Sequence, residues 1–187
     1  IDTMYGQLMT ANNKVVFSSD AGYDFAYDFS KKYKGQMIEE VSVEFVSTTQ
    51  KKNGSATIID KGNYVNFQDK NHNNIKLTKT GIAMSYKMAQ NLNVKQGDFV
   101  SWHIVGDDKW QKTRIAQIYR DPSVQGIAMK RDVFESLEYD FIPTGVLTNK
   151  SVDKSLTDEE EISTILNITD MKATFSKTME MMYSMIL

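Results

Sequence analysis

The chain has 187 residues, no cysteine and a formal net charge of −2. This length suits one domain, or one domain that carries a smaller inserted subdomain. The lack of cysteine excludes disulfide scaffolds, thiolate metal sites and cysteine nucleophiles. The charge argues against a nucleic-acid partner, because phosphate binding needs a basic face.

The first nine residues, IDTMYGQLM, predict a short helix with one apolar side. Its apolar residues follow the i, i+3, i+4, i+7 spacing of a single helix face. They are Ile1, Met4, Tyr5 and Leu8.

A strand is predicted over residues 14–18, and aromatic residues at every fourth position then predict a helix that ends near Gly35. Residues 38–48 alternate between apolar and polar side chains, which is typical of a half-buried strand. The KKNG sequence at 51–54 predicts a turn.

The middle of the chain reads as short β-segments over 56–77, followed by a short helix whose apolar stripe runs from Met84 to Leu92. Gly97 and Asp98 then predict a tight turn. Two strands, 99–105 and 110–120, read as a hairpin.

Strands are predicted over 124–129 and 144–148, with a short helix around Val133 between them. Thr157–Glu160 has the Thr-x-x-Glu spacing of a capping box and predicts a helix with Ile162 and Ile165 on its apolar face. A second, longer helical stripe continues to the end of the sequence. Its residues are Met171, Phe175, Met179, Met182 and Ile186.

This order of elements predicts an α+β fold. We expect a mixed βαβ-type layer formed by residues 1–54 and 121–187, a β-rich subdomain inserted at 55–120, and a helical stalk at each terminus. The apolar stripes at the two ends predict that the stalks lead to membrane-anchoring helices.

The sequence contains no motif for catalysis, a cofactor or a metal. His72 and His103 have neither a second histidine nor a carboxylate at metal-ligand spacing, and both read as surface residues. No P-loop, dinucleotide fingerprint or nucleophile elbow is present. We therefore expect a chain that is not an enzyme and that needs neither a cofactor nor a metal.

One block carries a family resemblance. Residues 81–102 read GIAMSYKMAQNLNVKQGDFVSW, in which an Ala-x-x-Leu helix leads through Val-x-x-Gly-Asp into an alternating strand. This block resembles an element in the extracytoplasmic domains of FtsX-like (MacB-type) ABC-transporter permeases. The matching positions are Ala89, Leu92, Val94, Gly97, Asp98 and Val100.

The resemblance implies a non-enzymatic domain outside the membrane of a bacterium. The preference for lysine over arginine and the many asparagines indicate a low-GC Gram-positive source. Such a domain mechanically couples ATP hydrolysis by a cytoplasmic ATPase to export, to lipoprotein or peptide handling, or to regulation of a partner. The implied partners are flanking transmembrane helices, the ATPase and an extracytoplasmic protein or peptide, with no nucleic acid. Gly97 and Asp98 would be structural.

Two other hypotheses stay open at this point. An extracellular sensor domain of a receptor kinase or chemoreceptor would also have two membrane-linked ends, and it would have an uninterrupted sheet with a polar pocket. A secreted hydrolase would need a buried cluster of titratable residues.

Overall fold

The structure, a computed structural model, describes residues 9–186 and has the expected α+β fold. The strands are β1 (Asn13–Phe17), β2 (Gln36–Val46), β3 (Lys51–Ile59), β4 (Phe67–Gln68), β5 (Asn74–Ile75), β6 (Ile82–Ser85), β7 (Phe99–Ile104), β8 (Trp110–Tyr119), β9 (Gly126–Lys130), β10 (Gly145–Thr148) and β11 (Ile162–Asn167). The helices are α1 (Gly22–Lys32), α2 (Tyr86–Leu92), α3 (Arg131–Ser136) and α4 (Ile168–Ile186). A 3₁₀ turn covers Lys154–Asp158.

Nine strands form one mixed sheet in the order β11-β1-β10-β2-β3-β9-β6-β8-β7. Strand β2 pairs with β3 along its length, and on its other side it pairs first with β10 and then with β7. Because β7 also ends the strand order, the β2–β7 pairing closes a ring of six strands. The strands β10, β1 and β11 extend the sheet beyond that ring.

The main core packs the side chains of the six-stranded ring together with one face of the extension. Trp102 is fully buried on β7, and its indole Nε1 donates a hydrogen bond to Thr113 Oγ1 on β8 at 3.0 Å. Helix α1 covers the extension with Phe29, whose ring meets Phe17 of β1 edge to face. These aromatic contacts add to the apolar burial that holds α1 on the sheet.

A second, smaller core lies under the segment 64–77, which carries the two-stranded β4–β5 hairpin. Phe67 meets Tyr119 edge to face, with ring centroids 5.1 Å apart. Ala11 and Ile168 belong to the same cluster. The second core therefore joins the hairpin to the places where the chain enters β1 and leaves β11.

The strongest periodic signals in the sequence are confirmed. Strand β2 buries Val43 and Phe45 while Glu44 is only half-buried, and β7 pairs with β8 as an antiparallel hairpin. The helices predicted around Phe29 and Val133 are α1 and α3. The long C-terminal stripe is α4.

The helix predicted from the capping box at Thr157–Glu160 is wrong. Thr157 lies in the 3₁₀ turn, where its hydroxyl donates to the carbonyl of Lys154 at 2.8 Å. Residues 162–167 are instead strand β11, which pairs with β1. The segment 162–167 contains several β-branched residues and pairs with β1. These features decide its structure against the cap motif, because local propensity is weak compared with tertiary contacts.

Three local details also differ from expectation. Residues 51–54 begin β3 rather than forming a turn, since the chain turns at 47–50, where Ser47 N–H donates to Gln50 O. Met84 lies in β6 and not in the following helix. The residue with left-handed backbone after α1 is Lys34, with φ 48°, and not Gly35.

The predicted division into 1–54 plus 121–187 and an inserted 55–120 subdomain stays a prediction. Strands from both stretches share the nine-stranded sheet, because β3 lies between β2 and β9.

A test of the close strand packing uses Gly126, which has φ 154° and lies beside β3. A Cβ there would overlap the backbone carbonyl of Ser55. We expect Gly126→Ala to lower the free energy of unfolding by about 3 kcal/mol or more, since backbone must shift. Gly106→Ala, where a Cβ meets nothing within 4 Å, should cost only ~1 kcal/mol for its positive φ. Urea unfolding of both variants measures the difference, and equal losses would contradict the packing.

Candidate functional site

The chain enters and leaves the described fold at one place. Strands β1 and β11 are antiparallel neighbours, with Asn13 opposite Asn167. The segment before β1 and helix α4 after β11 therefore meet at the same end of these two strands. We call residues 9–13, 148–150 and 167–170 the junction.

Asn12 connects the three parts of the junction. Its carbonyl accepts a hydrogen bond from Ile168 N–H at 2.7 Å, and its side-chain Oδ1 accepts one from the Thr169 hydroxyl at 3.2 Å. Its own N–H donates to Asn149 Oδ1 at 2.9 Å. The first residues of α4 are thus held against the chain that enters β1.

Two further asparagines complete the junction. Asn13 is 8% exposed, and its amide Nδ2 donates to Lys150 O at 2.9 Å. Asn167 ends β11, and its Oδ1 accepts a hydrogen bond from Asp170 N–H at 2.8 Å. An asparagine that precedes a helix and accepts from its third residue is a typical N-cap. Helix α4 therefore follows β11 without a connecting loop.

The junction also rests on the second core. Met9 forms an isolated bridge with Val65, and Thr10 N–H donates to Tyr64 O at 2.8 Å. Ile168 is 5% exposed and packs in the same cluster as Val65. Movement of either chain end at the junction would therefore disturb the hairpin segment 64–77.

The predicted stripe on α4 becomes more exposed towards the end of the helix. Met171, Phe175 and Met179 of the predicted stripe are half-buried, while Met182 and Ile186 are 49% and 78% exposed. The predicted N-terminal stripe, Ile1, Met4, Tyr5 and Leu8, lies outside the described residues. Over residues 9–186, no helix is both long enough and apolar enough to cross a membrane.

The Gly97–Asp98 pair lies in the turn between α2 and β7. Gly97 has φ 96°, and its N–H donates to Ile115 O at 2.8 Å. Asp98 Oδ2 accepts a hydrogen bond from Lys95 N–H at 3.0 Å. A positive φ favours glycine, and the carboxylate holds the turn closed.

The two histidines have partners that the sequence spacing does not reveal. His103 Nε2 lies 3.0 Å from Glu44 Oε1, and this pair joins β7 to β2 where the ring closes. The hydrogen bond to Glu44 raises the pKa of His103. His72 lies beside Arg120. Within residues 9–186, no group of three or more acidic, histidine or cysteine residues is placed to hold a metal.

Glu39 is a buried carboxyl group whose pKa is clearly shifted. It is 7% exposed on β2 and accepts a hydrogen bond from Ile142 N–H at 2.9 Å. Burial raises the pKa of Glu39 to about 7, although the hydrogen bond from Ile142 opposes the shift.

Sequence reasoning missed the junction asparagines. The cap formed by Asn167 and Asp170 has a local pattern, Asn-x-x-Asp before an apolar helical stripe, that could have been recognised. The Asn12–Asn149 contact has no such signal, because 137 residues separate the two.

The chain matches no known family model, and comparison with curated proteins finds no match.

The cap at Asn167 predicts a measurable loss of stability. We expect Asn167→Ala to lower the free energy of unfolding by about 1 kcal/mol and to reduce the helical circular-dichroism signal. The matched control is Asn63→Ala, because Asn63 is exposed and the substitution keeps its backbone carbonyl, which accepts a hydrogen bond. Equal stability of the two variants would show that Asn167 does not cap α4.

Glu39 predicts a dependence of stability on pH. Its folded pKa of about 7 lies above the ordinary value of 4.5, so the folded protein binds the proton more tightly than the unfolded chain does. Stability should therefore be greatest below pH 4.5 as far as this group is concerned, and should fall as pH rises through about 7. We expect a loss on the order of 2 kcal/mol over this range.

Glu39→Gln keeps the shape of the side chain without the ionisation. Urea unfolding at several pH values should give a flatter profile for this variant than for the wild type. If the free energy of unfolding changes with pH identically in the two proteins, ionisation of Glu39 does not affect the stability of the fold.

Proposed function

We propose that this chain is an extracytoplasmic domain of an ABC-transporter permease of the FtsX-like type, and that it is moved mechanically by its two ends. The observation that carries the proposal is the junction, where Asn12 before β1 is hydrogen-bonded to the start of helix α4 after β11. A domain pushed from a membrane through two stalks needs both attachments at one edge.

The way α4 is attached suits the transmission of movement. Asn167 is the last residue of β11 and Ile168 the first of α4, so no flexible loop separates helix from sheet. Ile168 is also bonded to Asn12 and buried in the second core. A tilt of α4 therefore acts on β11, on β1 and on the hairpin segment together, as in rigid-body transitions.

The membrane and ATPase partners rest on the resemblance of residues 81–102. The block that carries it, from Ala89 to Val100, forms a short helix, a closed turn and a strand of the ring. In this proposal ATP is hydrolysed by a cytoplasmic subunit, flanking transmembrane helices carry the movement, and the domain acts on an extracytoplasmic protein or peptide of a low-GC Gram-positive bacterium. The chain itself does no catalysis and holds no cofactor.

The continuous nine-stranded sheet favours a second candidate, an extracellular sensor domain of a receptor kinase or chemoreceptor. That alternative shares the location outside the membrane and differs in the cytoplasmic partner. An ATPase that co-purifies with the full-length protein supports the permease, and a kinase or chemotaxis linker supports the sensor.

The side of the membrane on which the domain lies can be measured with a single introduced cysteine, because this chain contains no cysteine of its own. Gln96 is exposed in the α2–β7 turn. We expect Gln96→Cys, in the full-length protein in intact cells, to react with a membrane-impermeant maleimide. Reaction only after lysis would place the domain on the cytoplasmic side and contradict the proposal.

Two controls make the labelling interpretable. Ala128→Cys is fully buried and should react only after denaturation. The full-length protein without an introduced cysteine sets the background. Co-purification of the Gln96→Cys protein from the same cells then separates the ATPase from the kinase alternative.

A further inference from the structure

A basic cleft lies where β8 ends, between the β4–β5 turn and helix α2. It has a volume of about 460 Å³. Lys70 comes from the turn, Lys87 from α2 and Arg120 from the residue after β8. Three elements that are distant in sequence therefore place three cations around one opening.

The charge of the cleft is not compensated by ion pairs. Among the described residues, none of its three cations lies within 4.0 Å of a carboxylate oxygen. Arg131, which lines a separate cleft, differs because it lies 3.4 Å from Asp60 and 3.1 Å from Glu135. Uncompensated cations around a concave surface attract anions.

Two acidic groups at the cleft accept hydrogen bonds from the backbone. Asp121 lines the cleft and is 9% exposed. Its Oδ1 accepts hydrogen bonds from Ser123 N–H at 2.9 Å and Val124 N–H at 3.0 Å, while its Oδ2 is buried and has no hydrogen-bond partner among the described residues. Asp69 Oδ1 accepts from Asn71 N–H and Asn73 N–H at 2.8 and 3.0 Å. Both carboxylates shape the turns that border the cleft.

Arg120 connects the end of β8 to the β4–β5 turn. Its backbone N–H donates to Gln68 O at 2.8 Å, and its guanidinium Nη1 lies against the ring of His72, 2.8 Å from Nδ1 and 2.7 Å from Nε2. The fork of N–H groups that a guanidinium presents matches phosphate geometry.

We propose that this cleft, defined by Lys70, Lys87 and Arg120, binds a phosphate group. Three cations suit the double negative charge of a phosphate monoester. They also suit the phosphate in the headgroup of an anionic lipid. The volume leaves room for the organic part that carries the phosphate. Phosphate binding at this cleft does not depend on the proposed mechanical role.

The cleft also contacts the segment that reaches the junction. Lys70 and His72 line the cleft, while Tyr64 and Val65 of the same segment bond to Thr10 and Met9. Phosphate bound at Arg120 would stabilise this segment, because a ligand that binds only the folded state stabilises it by mass action.

The test is a titration of the purified chain with inorganic phosphate, with chloride adjusted to hold ionic strength constant. Calorimetry and the melting temperature are the readouts. We expect Lys87→Gln and Arg120→Gln each to weaken phosphate binding by about fivefold or more, the loss of one charge-assisted hydrogen bond. Their melting temperatures without phosphate show whether they remain folded.

Two matched controls lie on β8 and are exposed outside the cleft, Lys112→Gln and Arg114→Gln. They remove the same charges and should bind phosphate as the wild type does. Equal weakening in controls and cleft variants would mean a diffuse charge effect and would overturn the proposal.

Vesicles distinguish the source of the phosphate. Co-sedimentation with phosphatidylglycerol vesicles but not with phosphatidylcholine vesicles, lost in Arg120→Gln, indicates a lipid headgroup. Binding of inorganic phosphate without vesicle binding indicates a soluble ligand. Either result supports the site, and the absence of both overturns it.

Discussion

The fold depends on the change of partner along strand β2. Its first residues pair with β10 and its last with β7, while β3 follows it along the other side. The later pairing closes the six-stranded ring and shields most of the apolar core. The pairing of the first residues of β2 with β10 adds β10, β1 and β11 to the sheet, and these strands carry the junction. His103 and Glu44 meet at the closing seam, so the seam has a polar contact as well as backbone bonds.

The junction joins the chain before β1 to the start of helix α4. Asparagine is the residue that recurs there, since its amide both donates and accepts hydrogen bonds and satisfies backbone groups at strand ends and helix starts. Asn12, Asn13 and Asn167 each bond to chain that is far away or that starts a new element. The second core then extends the junction to the hairpin segment, which borders the basic cleft.

Much of the fold was readable from periodicity. Alternation in β2 and β7 and the four-residue spacing in α1 and α4 are signals that tertiary contacts reinforce. The capping box at Thr157 failed because a local motif cannot report that β1 is available as a pairing partner. The ring closure was not predictable for the same reason, since Val43 and Ile104 meet from separate parts of the chain.

The candidate sites were less predictable than the fold. The helical stripe of α4 was visible, whereas the contact of Asn12 with Asn149 and the gathering of Lys70, Lys87 and Arg120 depend on topology. The raised pKa of Glu39 comes from its burial. The alternation in β2 places Glu39 on the same face as Val41 and Val43, but the sequence does not show which other elements cover that position.

The most direct measurement of the central claim is hydrogen exchange at the amide of Ile168, which donates to Asn12 O at 2.7 Å. If the two chain ends are joined at the junction, this amide should exchange as slowly as the amide of Val15 in the middle of β1. Exchange as fast as that of the exposed last turn of α4, at Met185, would mean that α4 moves independently of the sheet and would contradict the account.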